Sequence, residues 1–312
     1  MLRQHHRRTS ATNELTKMAA LITHPRMSPP SANERLPFQS HRSFATMTGN
    51  DESSLEAIFR QKHSLRSRIR KELKNMNPTR KSEQDAEIQS IVLSAPWFKY
   101  SRSICAYISS PELREVDTSR IVSEILSKPG NGVWIRAFRV HVVVESVEIF
   151  TADFILSGEE GDAVIRRKLY VPRVEDRNSN MRMLRIDSVD DLIVKSMNVL
   201  EPALSDAEGK LYEDAMEAKD PIDLFILPGL AFDRCGRRLG RSGGYYDTFL
   251  KKYQKLAKDR KWKDPLCVAL SYSIQIVEEG VIPVTLNDVS VDALVSPAGF
   301  ISISPAAWNR YA

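Results

Sequence analysis

Apolar residues recur at helical spacing over residues 53–73, where Leu55, Ile58, Phe59, Leu65, Ile69 and Leu73 alternate with Lys62, Arg66, Arg68, Arg70 and Lys71 on other faces. The pattern predicts an amphipathic helix ending at Asn77-Pro78. A second helix is predicted over 79–93, burying Ile88, Ile91 and Val92 and stopped by Pro96. The period then shortens. Residues 103–109 (SICAYIS), 168–174 (KLYVPRV), 222–227, 266–270 (LCVAL) and 289–295 (VSVDALV) read as compact buried strands. Between the first two of these, 110–117 is a loop leading to a helix capped at Asp117, with Ile121, Val122, Ile125 and Leu126 inward and an end near Pro129-Gly130. The stretch 133–149 is strongly β-prone and predicts one or two extra strands, followed by a polar break at 157–162. Residues 192–200 follow a DSVDD turn, 201–220 is loop-like, and 283–288 (PVTLND) is a loop before the last strand. Short strands alternating with helices predict an α/β sandwich with a mainly parallel sheet, and no internal repeat is visible.

The chain is organised around 223–250, DLFILPGLAFDRCGRRLGRSGGYYDTFL. An apolar strand leaves through Pro228-Gly229 into a loop in which Gly236, Gly240, Gly243 and Gly244 interleave with Arg234, Arg237, Arg238 and Arg241. A helix with Tyr246, Phe249, Leu250 and Tyr253 at helical spacing follows, so the glycines stand before a helix N-terminus. Free N–H groups and the positive dipole end of such a turn attract anions. Glycine permits close backbone approach, and arginine supplies planar donors that match phosphate. Asp247, just inside the helix, suits a Mg²⁺ ion bridging phosphates. The loop has neither GxGxxG nor a GK[ST] ending, and the same residues also suit a solvated arginine loop with turn glycines.

With 312 residues and a 42% hydrophobic share the chain can build a substantial core. The net charge of +5 points towards nucleic acid until it is located along the sequence. Seven basic and two acidic residues lie in 1–50, which leaves 38 of each sign after it. That neutral balance, without a basic and aromatic stripe, argues against nucleic-acid binding. Residues 1–50, rich in Arg, Ser, Thr and His and broken by Pro25, Pro29, Pro30 and Pro37, read as a transit peptide or disordered leader, with a processing neighbourhood at Arg42-Ser43-Phe44-Ala45. The expected destination is the mitochondrion, the alternatives being a plastid or, from an internal start at Met47, the cytoplasm. No apolar run is long enough for a membrane-spanning helix, and no membrane partner is expected. Cys105, Cys235 and Cys267 are odd in number and unpaired in spacing, which suggests reduced thiols and no zinc site.

Lys62 and Arg66 share a helix face, which by itself is an ordinary solvated pair. Glu115 lies in a loop after a strand, where open α/β sheets place ligands, although a helix-cap neighbour is the plainer account. Taken together, KHSLRSRIRKEL, YISSPELREVDT, LYVPRVEDRNSNMRMLRI, LPGLAFDRCGRRLGRSGGYYD and IPVTLNDVSVDALV resemble, in order, the 5-formyltetrahydrofolate cyclo-ligase family, also called methenyltetrahydrofolate synthetases. The likeness runs from about Glu56 to Pro297 except for 129–166, and is greatest to the organellar forms. It implies a three-layer α/β sandwich over a single domain at 51–312, acting as a monomer. It also implies an enzyme that uses ATP and Mg²⁺ to close 5-formyltetrahydrofolate, commonly polyglutamylated, into 5,10-methenyltetrahydrofolate. By motif position, the resemblance puts Lys62 and Arg66 on the ATP phosphates and Arg238, Gly240, Arg241, Gly243 and Gly244 around the triphosphate and formyl group. Tyr246 falls on the nucleotide side, and Tyr245 falls beside the folate. Asp247 and Asp288 match the metal carboxylates, Ile108 and Glu115 match positions that hold the pterin, and Arg241 with Tyr245 meets the reacting centre.

Two departures stand out. Ser242 occupies a position that is glycine in many relatives, and is expected to be tolerated where φ stays negative. Residues 129–166 interpose a long segment before KLYVPRV, expected to be an insertion outside the core, such as translated intron sequence. If it displaced that strand, the chain would be an impaired enzyme or a folate- or nucleotide-binding relative.

Overall fold

The computed structural model describes residues 52–127, 135–138, 141–144, 147–150, 154–157, 167–195 and 198–311. The expected leader and its processing neighbourhood lie outside these residues. Asn50–Ala312 forms one compact unit.

Seven strands build the central sheet: β1 Ser103–Ala106, β2 Lys168–Val174, β3 Met181–Ile186, β4 Leu224–Leu227, β5 Leu266–Leu270, β6 Ala293–Ser296 and β7 Gly299–Ser302. Their order is β7-β6-β5-β4-β1-β2-β3. The five inner strands run parallel, while β3 on β2 and β7 on β6 are antiparallel. Ile104 pairs with Leu224, and Leu224 pairs with Leu266, so the most apolar runs lie side by side at the centre. These runs show no polar alternation because both faces are covered. One face presents Ile104, Ile226, Val268 and Val295 to one core; the other presents Cys105, Phe225, Ala269 and Leu294 to a second.

Helices close each face. On the first lie α1 Glu52–Asn75, α2 Pro78–Ser94, the single turn α3 Pro96–Lys99 and α4 Ser119–Leu126, which contribute Ile69, Ile88, Phe98 and Ile121. On the second lies α5 Tyr245–Asp259, whose Phe249, Leu250, Tyr253 and Ala257 pack on the sheet. A last helix, α6 Pro305–Tyr311, returns Ala307 to the first core. The three-layer α/β arrangement is the expected one.

Local outcomes refine the sequence reading. In α1 only Leu65, Ile69 and Leu73 of the apolar stripe are buried, whereas Leu55 and Phe59 are exposed because the stripe runs past the edge of the core. Asn77, expected to end that helix, begins the next one: its side chain accepts from the N–H groups of Thr79 and Arg80, with Pro78 in the first turn. The α4 cap falls on Thr118, one residue after Asp117, although the Asp117 carboxylate does accept from the Ser119 N–H at 2.9 Å. Two edge strands, β3 and β7, and helix α6 were not anticipated from periodicity.

Within 129–166, where one or two strands were expected, four short ones form two antiparallel pairs. Ile135–Phe138 pairs with Phe154–Ser157, and His141–Val144 with Val147–Phe150; neither pair joins the seven-stranded sheet. Strand β2 keeps its parallel register on β1, Ser103 opposite Lys168.

Candidate active site

The loops leaving the carboxyl ends of β1 and β2 both meet the loop after β4, which in turn is bonded to α1, as ligand-binding loops gather in open parallel sheets. The 228–244 segment is more ordered than a glycine loop need be. Ala231–Phe232 pairs antiparallel with Arg238–Leu239, making a small hairpin. Its turn is tied by Asp233, whose Oδ1 accepts from the N–H groups of Cys235 and Arg237. Gly236 has φ 84°, and a Cβ there would lie 2.6 Å from the Val291 carbonyl oxygen, so the turn requires glycine. Cys235 is exposed in this turn, whereas Cys105 and Cys267 are buried in strands. Burial pushes the Cys267 thiol up to about 12. The hairpin presents Arg238 inward.

Arg238 is 4% exposed. One Nη donates to Asp247 Oδ1 at 2.8 Å and the other to the Pro228 carbonyl at 3.3 Å, and the guanidinium lies 5.8 Å from the Tyr246 ring centre. Asp247 Oδ1 also accepts from the Val289 N–H at 3.0 Å, which joins the first turn of α5 to the 283–288 loop. Next to Val289 stands Asp288. Both its oxygens meet Lys62 Nζ, at 2.7 and 2.6 Å, and Oδ2 also accepts from the N–H and hydroxyl of Thr285. Burial opposes the charge on Asp288, but the bonds from Lys62 and Thr285 outweigh it and hold the carboxyl below its ordinary value.

Arg241 and Glu115 form a third pair. Arg241 Nε donates to Glu115 Oε1 at 3.1 Å, and its Nη2 donates to the Leu113 carbonyl. Glu115 is held from behind by the Ser110 N–H at 3.2 Å. Burial raises its carboxyl above the ordinary glutamate value, against the opposing pull of Arg241. Its side chain thus bonds to Ser110 and Arg241, while the α4 N-cap is Thr118, three residues on. Helix α1, which carries Lys62, also holds the glycine-rich segment: Arg66 Nε donates to the Gly240 carbonyl at 2.9 Å, and Arg70, one turn on, donates to the Arg241 carbonyl at 2.7 Å. Burial, then the proximity of Arg70, lowers the Arg66 guanidinium from its ordinary value.

The remaining expected residues lie on the rim. Gly244 has φ 66° and serves as the N-cap of α5. The Gly243 carbonyl accepts from the Ser179 hydroxyl, and the Tyr245 hydroxyl donates to the Asp176 carbonyl at 2.9 Å, so the β2–β3 turn grips the glycine segment. Tyr245 is thus bound to that turn rather than to Arg241. Tyr246 is half-buried, and burial, then Glu115, raises its hydroxyl above the ordinary value. Ile108, just past β1, packs half-buried against the first core. Ser242 has no positive φ, in keeping with the expectation that a side chain is tolerated there.

Sequence reasoning did not single out Arg70, Leu113, Asp176, Ser179 or Thr285. Arg70 carried a signal, since it follows Arg66 by one helical turn. Carbonyl acceptors such as those of Leu113 and Asp176 leave none. Asp247 and Asp288 supply hard oxygen ligands, the chemistry Mg²⁺ takes, but no group of three His, Cys, Asp or Glu gathers among the described residues. Each carboxylate is instead neutralised by a cation, Arg238 or Lys62. The pair fits an ion that arrives with phosphates, not one the protein would hold alone.

A mostly parallel α/β sheet with its polar residues gathered beyond the strand ends is the framework of a ligand-binding enzyme. The model of the 5-formyltetrahydrofolate cyclo-ligase family matches residues 58–297. The chain belongs to this family, and is a ligase of that kind. It is 53% identical over 260 residues to the 5-formyltetrahydrofolate cyclo-ligase, mitochondrial, of Arabidopsis thaliana, covering 83% of this chain and 82% of that protein. It is 35% identical over 135 residues to the 5-formyltetrahydrofolate cyclo-ligase of Mus musculus, covering 41% of this chain and 61% of the mouse protein. The fold is shared with the NMR structure of Aquifex aeolicus 5,10-methenyltetrahydrofolate synthetase, at a TM-score of 0.53 and 22% identity, over 78% of this chain and 92% of the other.

Proposed function

We propose that this ligase converts 5-formyltetrahydrofolate and ATP, with Mg²⁺, into 5,10-methenyltetrahydrofolate, ADP and phosphate. The observation that carries the reading is that Arg241–Glu115, Arg238–Asp247 and Lys62–Asp288 are joined through α1 and one glycine-rich segment. Such a site can hold an anionic co-substrate and a polar heterocycle side by side.

A formamide carbon is a poor electrophile because its nitrogen donates into the carbonyl. In the proposed reaction the formyl oxygen attacks the γ-phosphorus of ATP, the bond from phosphorus to the ADP oxygen breaks, and ADP leaves. Nitrogen 10 then attacks the activated carbon, the carbon–oxygen bond breaks to release phosphate, and the nitrogen proton passes to solvent. The protein orients and neutralises, as in other phosphoryl transfers. Lys62, Arg66 and Arg238 are assigned to the triphosphate with the backbone of Gly240, Gly243 and Gly244, and Tyr246 to the nucleotide side. Arg241 and Tyr245 are assigned to the reacting formyl group, and Ile108 and Glu115 to the pterin. Asp247 and Asp288 would hold Mg²⁺, which when bound offsets negative charge on phosphate oxygens. For that, Arg238 and Lys62 must exchange their carboxylates for phosphate. The substrate is taken as a polyglutamylated folate, the enzyme as a monomer, and its compartment as the mitochondrion, the last supported by the name of the Arabidopsis relative.

The test is the absorbance rise of methenyltetrahydrofolate when the chain, without its leader, meets ATP, Mg²⁺ and 5-formyltetrahydrofolate. Turnover that is lost in Arg241→Ala and Asp247→Ala supports the reading. Ligand binding without any rise would identify a silent binding protein, and wild-type turnover in either variant would undo the site assignment.

A further inference from the structure

Arg114 lies between the two acceptors of Arg241, the Leu113 carbonyl and the Glu115 carboxylate. Its φ is 52°, in the left-handed region that a side chain other than glycine, asparagine or aspartate rarely adopts. Its N–H donates to the Pro111 carbonyl at 3.0 Å, closing a turn whose residues on either side of Arg114 both accept from Arg241. Nε and Nη2 occupy one edge of the Arg241 guanidinium. That edge is filled only when the Leu113 oxygen and the Glu115 carboxylate stand at the spacing the turn gives them.

The strained residue is held by its own side chain. Arg114 Nε donates to the Leu73 carbonyl at 3.1 Å, and Nη2 to those of Lys74 and Met76 at 2.8 and 3.2 Å. The Leu73 and Lys74 carbonyls stand in the last turn of α1, at the negative end of its dipole, and Met76 follows the helix directly; the Leu73 carbonyl also accepts from the Met76 N–H at 3.3 Å. Helix α1 also sends Arg66 to the Gly240 carbonyl and Arg70 to the Arg241 carbonyl. The contacts close a ring: α1 to Arg114, Arg114 to the 113–115 turn, the turn to Arg241, and Arg241 back to α1.

We propose that Arg114 is a positioning residue that sets the Arg241–Glu115 pair for the reaction by anchoring the 113–115 turn on the C-terminal carbonyls of α1. The proposal rests on the reading that Arg241 acts on the formyl group. Arg114→Asn keeps a residue suited to positive φ while removing the three carbonyl bonds, and Arg114→Lys keeps a cation able to reach the same carbonyls at the same backbone cost. Initial rates are measured with each substrate varied in turn, below the melting temperature of every variant. Arg114→Asn is expected to lower kcat about tenfold, the scale of one charge-assisted hydrogen bond. It should also raise the KM for 5-formyltetrahydrofolate, leave the KM for ATP within about twofold, and be largely restored by Arg114→Lys. Wild-type kcat and folate KM in Arg114→Asn would overturn the proposal. So would a loss spread equally over both substrates that Arg114→Lys does not recover, because that pattern is general destabilisation. Arg241→Lys is run alongside: wild-type turnover there would refute the reading of the site, whatever Arg114 does.

Discussion

Lys62 Nζ meets both carboxylate oxygens of Asp288, at 2.7 and 2.6 Å, across 226 residues of sequence, and Lys62 is 5% exposed. A helix residue near the start of the described chain is thereby tied to the loop before the last parallel strand. Removing either partner leaves the other charge half-desolvated, so Lys62→Met or Asp288→Asn alone should cost about 2 kcal/mol of stability. The double variant should cost clearly less than the sum of the two, because no unpaired charge remains. Denaturant unfolding of the four proteins measures this cycle. Simple additivity would show that the two groups do not act as a pair.

Gly243 and Tyr245 are in close approach. A Cβ on Gly243 would lie 2.2 Å from Tyr245 Cε2 and 2.6 Å from Cδ2, so Gly243→Ala must push the ring aside and loosen its bond to the Asp176 carbonyl. The position is exposed, and the expected stability change is below about 1 kcal/mol. The effect should appear in the KM for folate and in kcat. Steady-state kinetics with folate varied checks it, and an unchanged folate KM would show that the tyrosine does not border the substrate.

Glu115 gives a pH signature whose sign can be worked out. Burial raises its folded-state value above that of the unfolded chain, so between the two the folded protein holds a proton that the unfolded chain does not. Its contribution to stability therefore falls as pH rises through that interval, and Glu115→Gln should remove that slope. Arg241 opposes the shift, so Arg241→Ala should move the Glu115 carboxyl further up. Carbon-detected NMR titration of the carboxyl reads both; a downward move in Arg241→Ala would contradict the ion pair.

The sheet was legible because parallel strands buried on both faces leave uninterrupted apolar runs: KLYVPRV and LCVAL match β2 and β5 residue for residue. Met181–Ile186 and Gly299–Ser302 were not, since edge strands alternate with polar or half-buried positions and gain their identity from a partner. At the site, charge-bearing residues at helical or loop spacing could be picked out, but not their pairing. That Asp288 answers Lys62, or that Leu113 offers its carbonyl to Arg241, depends on chain crossings over more than a hundred residues. The two-residue hairpin at Ala231–Phe232 and Arg238–Leu239 was hidden for another reason: glycines and arginines mask a turn whose actual organiser is the Asp233 side chain.

Each of the two strand pairs within 129–166 is hydrogen-bonded within itself and not to the central sheet, and β2 holds its register on β1 without them. Removing 131–163 leaves residues 127–130 and 164–167 to connect α4 to β2, somewhat longer than the roughly two to six residues usual for a helix-to-strand link in an α/β unit and so ample to span it. The crossover from β1 through α4 to β2 stays intact, and none of the residues assigned to the site lies in the removed stretch. The shortened protein is therefore expected to keep its melting temperature within about 4 °C, the shift of roughly 1 kcal/mol in a chain of this size, and its turnover within about twofold. Differential scanning calorimetry and the cyclisation assay on both lengths decide the matter. A shortened chain that folds but no longer turns over, beside an active full-length chain, would mean that the segment takes part in the site.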